Sequence, residues 1–380
     1  MTALGGHRMI GTSGPIARYL GGQGMQSRSV TVFAWMVLST GAAAQQPIAL
    51  EVNQEMVDAA NALLTTVASA PGGAERMLGF DRTANLTLPL ADEAREDWAY
   101  WPTERVGVPL DLMTAQQRKL THALLTSLLS SRGYMKVVNI MQLEQILGML
   151  DEGGLPRGVG HYKVVVFGTP SMDDPWAWRF EGHHVSLSVA VAPNGISVTP
   201  SFFGANPAEV RSGPLTGFRV LGAEEDLARD LVTSLSDAQR GRAVVSDRAP
   251  SEIFTGNINK EPEQWEAWRS SLQPEGIAVK ELNEVQQHWV RRILEEIVGS
   301  YRPELSAAYL KSIDPASLSF AWMGPTERGA PHYFRLQGAD FVFEFDNVQN
   351  QGNHVHSVWR NKSEDFGMRL LGNHYQSAHR

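Results

Sequence analysis

"FGTPSMDDPWAWRFEGHHVSLSVAVAPN", residues 167–194, and "MGPTERGAPHYFRLQGADFVFEFDNVQN", residues 323–350, align without a gap at a constant offset of 156. Gly168 falls on Gly324, Pro175 on Pro331, Trp178 on Phe334, Arg179 on Arg335, Gly182 on Gly338 and Asn194 on Asn350. These positions turn the chain or carry a strand, and the residues between them are largely β-branched or aromatic, types that favour pleated, half-buried backbone. A Gln-containing helical stretch precedes each block at a different offset, "MTAQQRKLTHALL" (113–125) and "LNEVQQHWVRRIL" (282–294). The pattern predicts an α+β fold of duplicated helix plus antiparallel β-meander units. The two units are expected to be related by approximate two-fold symmetry, with helices covering the sheets and a ligand between the halves.

Working outward from these blocks, residues 51–68 have apolar positions at helical spacing, and the "PGG" at 71–73 breaks the run. Residues 113–134 read as one helix, with Thr114 as N-cap, Gln117 at capping-box spacing and Gly133 as its end. A further helix spans 140–150, strands are expected at 162–168, 176–191 and 196–203, and helices return at about 223–246 and 280–313. The second strand-rich block covers about 317–360.

The ends of the chain read differently. From Met25 a single Arg, a short apolar run and the small residues Ala42-Ala43-Ala44 follow in the order of a secretory signal with an A-x-A cleavage site. The apolar run is shorter than the roughly 20 residues that span a bilayer. The reading is therefore a leader over 1–24 that suggests a start assigned too far upstream, a signal peptide over 25–44, and one domain over 45–380. That domain divides into halves at about 50–250 and 251–380. An exported protein, periplasmic or extracellular, with no membrane span in the mature chain, is the expectation.

A formal charge of −8 without a long basic run lacks the electrostatic footprint that a phosphate backbone requires, so nucleic acid is not an expected partner. The chain has no cysteine, which removes disulfides, thiolate metal sites and cysteine nucleophiles together. A metal would be held by His and carboxylate.

The histidines depart from the repeat. "EGHH" carries His183 and His184 where the second copy has Ala339 and Asp340, and "NHVH" carries His354 and His356 where the first copy has Val198 and Pro200. In a strand, side chains two apart share a face, so His354 and His356 converge on one ion, whereas His183 and His184 point to opposite faces unless a bulge intervenes. Alternation puts His184 with Ser186 and Ser188 and His183 with Val185 and Leu187, which makes His184 the better ligand. Asp340, Glu344 and Asp346 lie on one face of the next strand and offer a carboxylate. Two or three His with one carboxylate and an open position suit zinc, copper(II) or non-haem iron. Packing or hydrogen bonding is the ordinary use of a strand His, and HxH without fixed flanking ligands is only moderately specific.

Trp176, Trp178, Trp359, His332 and Tyr333 form an aromatic set near these segments, and Arg179, Arg335 and Arg360 are able to clamp a carboxylate bidentately. Arg360 and Glu344 are the catalytic candidates, and Trp176, Trp178, Arg179, Arg335 and Trp359 the substrate-binding ones. The zinc-protease HExxH, the G-x-S-x-G elbow, the Walker loop and the Rossmann glycine fingerprint are absent from the sequence.

"RMLGFD", "DWAYWPTERVGVPLDLMTAQQRKL", "FGTPSMDDPWAWRFEGHHVSLS", "PHYFRLQG", "DNVQNQGNHVHSVWR" and "DFG" together resemble the domain of unknown function family 3500 over about 50–379. The resemblance implies one family unit in a group of largely exported bacterial and fungal proteins, and places "EGHH" and "NHVHSVWR" in the family pattern. It brings no activity. The residues lead to an exported metal-dependent enzyme, a hydrolase on a small or acidic substrate. Copper- or iron-dependent oxidation, or metal or small-molecule binding without turnover, are the alternatives.

Overall fold

The computed structural model describes residues 46–68, 86–150, 157–213, 215–256 and 272–378. The expected leader, the signal peptide and the break at 71–73 lie outside the described residues.

Helix α1 spans Gln46–Ala68. Helix α2, Ala115–Leu128, opens on the expected capping box, in which the Thr114 hydroxyl accepts from the Gln117 N–H and the Gln117 side chain accepts from the Thr114 N–H. The single helix expected over 113–134 is two: α2 ends, the chain turns at Leu129, which bridges Tyr301, and α3 runs Ser131–Leu150 through the expected 140–150 helix. Gly133 is therefore not a terminator. It lies inside α3 against Ser300, whose carbonyl oxygen would sit 1.8 Å from an added Cβ, so close backbone approach is what requires the glycine.

Likewise the expected helix at 223–246 divides into α4 (Gly222–Ser234) and α5 (Asp237–Ala243), then continues as a strand. Ser236 restarts the helix with its own capping box to Gln239. The region expected at 280–313 holds α6 (Glu284–Val298), capped by Asn283 and Gln286, and α7 (Pro303–Ser312). Helix α8 spans Met368–Ala378. Among the described residues no helix is long and apolar enough to cross a membrane.

The strands are β1 (Thr87–Leu88), β2 (Val108–Pro109), β3 (Lys163–Phe167), β4 (Trp176–Gly182), β5 (Val185–Ala192), β6 (Gly195–Ser197) and β7 (Ser201–Ala205). After them come β8 (Val244–Ser246), β9 (Ile277–Ala278), β10 (Ser319–Met323), β11 (His332–Gln337), β12 (Phe341–Asn347) and β13 (Val355–Asn361). They form one sheet in the order β1-β3-β4-β5-β7-β13-β12-β11-β10-β8, with β2 on β3, β6 on β5 and β9 on β10. Among the described residues only β1–β3 and β8–β10 pair in parallel. The protein is a mixed α+β fold on a single large, mostly antiparallel sheet, and the two expected sheet regions join through β7 and β13.

Alternation gives this sheet two unlike faces. One presents Trp176, Trp178, Phe180, Val185, Leu187, Phe334, Phe343 and Phe345 to Leu124, Leu125 and Leu128 of α2 and Ile293, Leu294 and Ile297 of α6, forming the main core. Each such fully buried large side chain contributes about 1.5–3 kcal/mol. The other face is buried but mixed: Arg179, Glu181, Ser186, Arg335, Glu344, Asp346, His356 and Arg360 lie among Val165, Phe167, Phe202 and Val358. Backbone polar groups in the segments around 94–105 and 252–256 cover it. The Ala99 N–H donates to Glu181, Arg179 donates to the Ala94 carbonyl, and the Phe254 and Thr255 N–H groups donate to Glu344. Buried polar groups must be paired, and here the pairing ties two irregular segments down on the sheet.

Candidate metal centre

The expected continuous strand over 176–191 is a hairpin, with β4 ending at Gly182 and β5 beginning at Val185. His183 and His184 form its two-residue turn, and His184 takes a φ of 62°. The left-handed backbone at His184 takes the pair out of strand alternation, which was the ground for expecting opposite faces. The two imidazoles instead stack, 3.7 Å between centroids and 29° between planes. The His184 backbone is pinned on both sides: its N–H donates to the Tyr100 carbonyl (2.9 Å), and its carbonyl accepts from the Gly204 N–H (2.8 Å).

Gly204 belongs to β7, the strand between β5 and β13, and His356 lies directly opposite it in the register. His354 stands one residue before β13, its N–H donating to Asn347 Oδ1 (3.0 Å). The expected convergence of His354 and His356 holds, with ring centroids 4.6 Å apart. His184 joins them across Gly204: its Nε2 is 2.8 Å from His354 Nε2, and its ring centroid is 5.6 Å from that of His356.

Carboxylates stand behind the imidazoles. Glu252 Oε1 is 2.6 Å from His356 Nδ1, which leaves Nε2 as the open nitrogen. Glu144 Oε1 is 2.5 Å from His183 Nδ1 and 3.8 Å from His184 Nδ1. The Arg157 guanidinium also reaches His183 Nδ1 (2.8 Å), and the Tyr162 hydroxyl donates to the His183 carbonyl (2.6 Å). Asp346 faces His356 across the β12–β13 ladder. Burial, then the neighbouring Glu252 and Glu344 charges, pushes the Asp346 carboxyl well above the usual range. Burial also acts upward on Glu252, but the hydrogen bond and charge of His356 outweigh it and hold Glu252 low.

His184 and His354 have the uncharged state that ligands need. Burial, followed by the repulsion of neighbouring histidines, lowers the His184 pKa well below its ordinary value and that of His354 to about 3. Near neutral pH these two uncharged rings bring their Nε2 atoms to hydrogen-bond distance, a contact that one Nε2–H satisfies and that a small outward shift of the rings would convert into a pair of metal ligands. Among the described residues three sets place their ligand atoms within 4.8 Å of one another: His184–His354–His356, Glu144–His183–His184 and Glu252–Asp346–His356. Imidazole nitrogens oriented by carboxylates are a donor set that fits a borderline transition metal.

A family model described as "Protein of unknown function (DUF3500)" matches residues 49–368. The chain belongs to the DUF3500 family. The resemblance read from its motifs holds, and the match includes every residue of the cluster. No curated protein and no solved structure matches this DUF3500 chain.

Other expected site residues of this DUF3500 protein lie elsewhere. Trp176, Trp178 and Trp359 point to the helix-packed face, away from His356. Trp178 Nε1 contacts Met56 Sδ at 3.2 Å, and Trp359 packs on Tyr301 and Tyr309. Arg179 pairs with Glu181 (3.2 Å), and Arg335 with Glu275 (2.8 Å). Arg360, expected to orient substrate, is fully buried, pairs with Asp365 (2.5 Å) and donates to the Thr255 carbonyl (2.6 Å). Four residues of strand also separate it from His356, about 13 Å at 3.3 Å per residue. Glu344, the other catalytic candidate, accepts from Phe254 N–H, Thr255 N–H and the Tyr333 hydroxyl, and so serves to hold the covering segment. Asp340 sits exposed in the β11–β12 turn.

Glu144, Arg157, Gly204 and Glu252 are the members that the sequence reading missed. Glu144 left a signal: it is a carboxylate on a helical face otherwise occupied by buried Ile140, Met141, Leu143 and Leu147. Glu252 left none in its own neighbourhood.

Proposed function

We propose that this DUF3500 protein is an exported metal-dependent hydrolase of small substrates, with its metal held by His184, His354 and His356. The observation that carries the reading is the meeting of His184 Nε2 and His354 Nε2 at 2.8 Å beside His356, whose Nδ1 is fixed by Glu252. Three imidazoles would leave the fourth tetrahedral position to water or substrate, as in catalytic rather than closed structural sites. A divalent ion there supplies Lewis acidity and a nucleophile at neutral pH. Glu252 sets the tautomer of His356, and Glu144 orients the stacked His183–His184 pair. Arg157, and not Arg360, is the cation beside the histidines and takes the role of orienting an acidic group on the substrate. Export rests on the order of charged, apolar and small residues over 25–44.

We also infer that the fold is a duplication with approximate two-fold symmetry about the β7–β13 pairing. What supports this is the offset of 156 from β3, β4 and β5 to β10, β11 and β12, and the offset of 169 from Thr114 to Asn283 and from β2 to β9. The edges match as well, since β1 on β3 and β8 on β10 are both parallel.

The test is metal content by plasma mass spectrometry on tag-free protein, followed by turnover of an ester, amide and phosphoester panel before and after chelation. Stoichiometric metal that is lost in His354→Ala/His356→Ala, with turnover abolished by chelation, is the expected result. Metal without turnover would reduce the reading to binding, and no metal after reconstitution would end it.

A further inference from the structure

We propose a second cation site beside the three histidines, formed by Asp346, Glu252 and the Nδ1 side of His356, which makes the centre dinuclear. The proposal rests on the metal reading of the histidine cluster and extends it.

Asp346 is fully buried, and neither of its carboxyl oxygens has a hydrogen bond of normal geometry, the His356 backbone N–H reaching it only weakly. The group that it does meet is the Glu252 carboxyl, another acceptor, which lies in contact with it and bonds His356 Nδ1 at 2.6 Å. Two residues earlier on the same face of β12, equally buried Glu344 receives two backbone N–H groups and the Tyr333 hydroxyl. One strand thus carries two buried carboxyl groups two residues apart, one richly satisfied and one without a hydrogen bond of normal geometry. An ionised carboxylate buried without donors is strongly unfavourable; it is relieved either by taking up a proton, which the Asp346–Glu252 pair would then share, or by a counter-charge, and the second is what the site offers.

The strand register explains why the remedy is available here. Asp346 and His356 are directly paired on β12 and β13 and share a face, and Glu252 comes down on them from the covering segment. The Asp346, Glu252 and His356 ligand atoms all lie within 4.8 Å of one another. Two carboxylates and one imidazole form a harder, more anionic set than three imidazoles, suited to manganese, iron or zinc. His356 belongs to both sets; with one ion the Nδ1–H bonds Glu252, and filling both sites would require that proton to leave to solvent so that the ring bridges the two ions as an imidazolate. Sharing that ring couples the two sites.

The experiment is equilibrium dialysis of the full chain against Zn(II) and, separately, Mn(II), with bound metal counted by plasma mass spectrometry. Two ions per chain are expected with zinc, falling to one in Asp346→Asn, in Glu252→Gln and in His354→Ala. Asp346→Asn keeps the shape of the side chain, and a thermal melt checks its fold. Glu252→Gln lies on the covering segment at 34% side-chain exposure and carries the same test should the Asn variant fail to fold. One ion in the wild type, unchanged in Asp346→Asn, would show that the carboxyl pair shares a proton instead, and would leave the three-histidine reading standing. Two ions unchanged in both carboxylate variants would place the second ion elsewhere and overturn the site. No ion in the wild type would overturn both readings.

Discussion

His184 and Gly204 meet at a contact that admits no side chain: a Cβ at 204 would stand 2.8 Å from His184 Cδ2 and 2.9 Å from the Val355 carbonyl oxygen. Strand β7 lies between the strands that carry the histidines, so any side chain at 204 would occupy the space over which the two imidazoles reach each other. Gly204→Ala is expected to cost about 1–3 kcal/mol of stability through overpacking. It should also weaken metal affinity by at least about tenfold, because ligand orientation is disturbed directly. Calorimetric zinc titration and a thermal melt check the two effects separately. Unchanged affinity would mean that His184 is not a ligand.

Glu144 tests the same site from behind. It touches His183 Nδ1 at 2.5 Å and stands 3.8 Å from His184 Nδ1, without being needed in the coordination set. Glu144→Gln should preserve the fold and lower metal affinity by about 10–100-fold, the usual loss when an orienting carboxylate is neutralised. Competition against a chromogenic chelator measures it. An unaltered affinity would restrict Glu144 to anchoring the hairpin through His183.

How far these features were legible follows the range of the interactions that produce them. The Thr114–Gln117 capping box spans three residues, and the convergence of His354 and His356 follows from strand alternation, so both were readable. The stacking of His183 on His184 was not, because it depends on where β4 ends, and that is set by the pairing of Gly182 with Val185. Glu252 meets His356 across 104 residues, and Gly204 matters only because β5 and β13 flank it, a fact of sheet order. Arg360 shows the converse error. A strand Arg near histidines looks available until Asp365 folds back onto it.

That ion pair predicts a clean separation of stability from metal binding. Arg360 and Asp365 are both fully buried, and Arg360 additionally bonds the Thr255 carbonyl. Removing one partner leaves an uncompensated buried charge, so Arg360→Met should destabilise the fold by about 3–5 kcal/mol. Metal bound per folded chain should remain that of the wild type. Urea denaturation and metal analysis of the folded fraction test both halves, and a stable variant with impaired metal binding would return Arg360 to the site.

Acid should weaken the metal-free fold, and His332 is a group through which to see it. His332 is fully buried, stacked on Trp322 with centroids 4.9 Å apart, with Ala330 O, Glu225 and Arg229 around it. Burial, the largest influence, lowers its pKa from the ordinary 6.5 despite the opposing Glu225 charge. A histidine with a depressed folded pKa binds its proton more readily when unfolded, so stability is lost as pH falls below 6.5. Glu225 adds to the loss further down. Burial raises its pKa, but His332, Arg229 and Arg219 outweigh this and hold it below 4.5, so its contribution fades as pH falls through that range. His183, His184 and His354, also lowered chiefly by burial, act in the same direction. Each histidine contributes at most about 1.4 kcal/mol per pH unit over the window between its two pKa values. The urea midpoint of the metal-free protein should therefore fall from pH 7 to pH 5, more shallowly in His332→Gln. A midpoint independent of pH would show that these histidines are not held neutral in the folded chain.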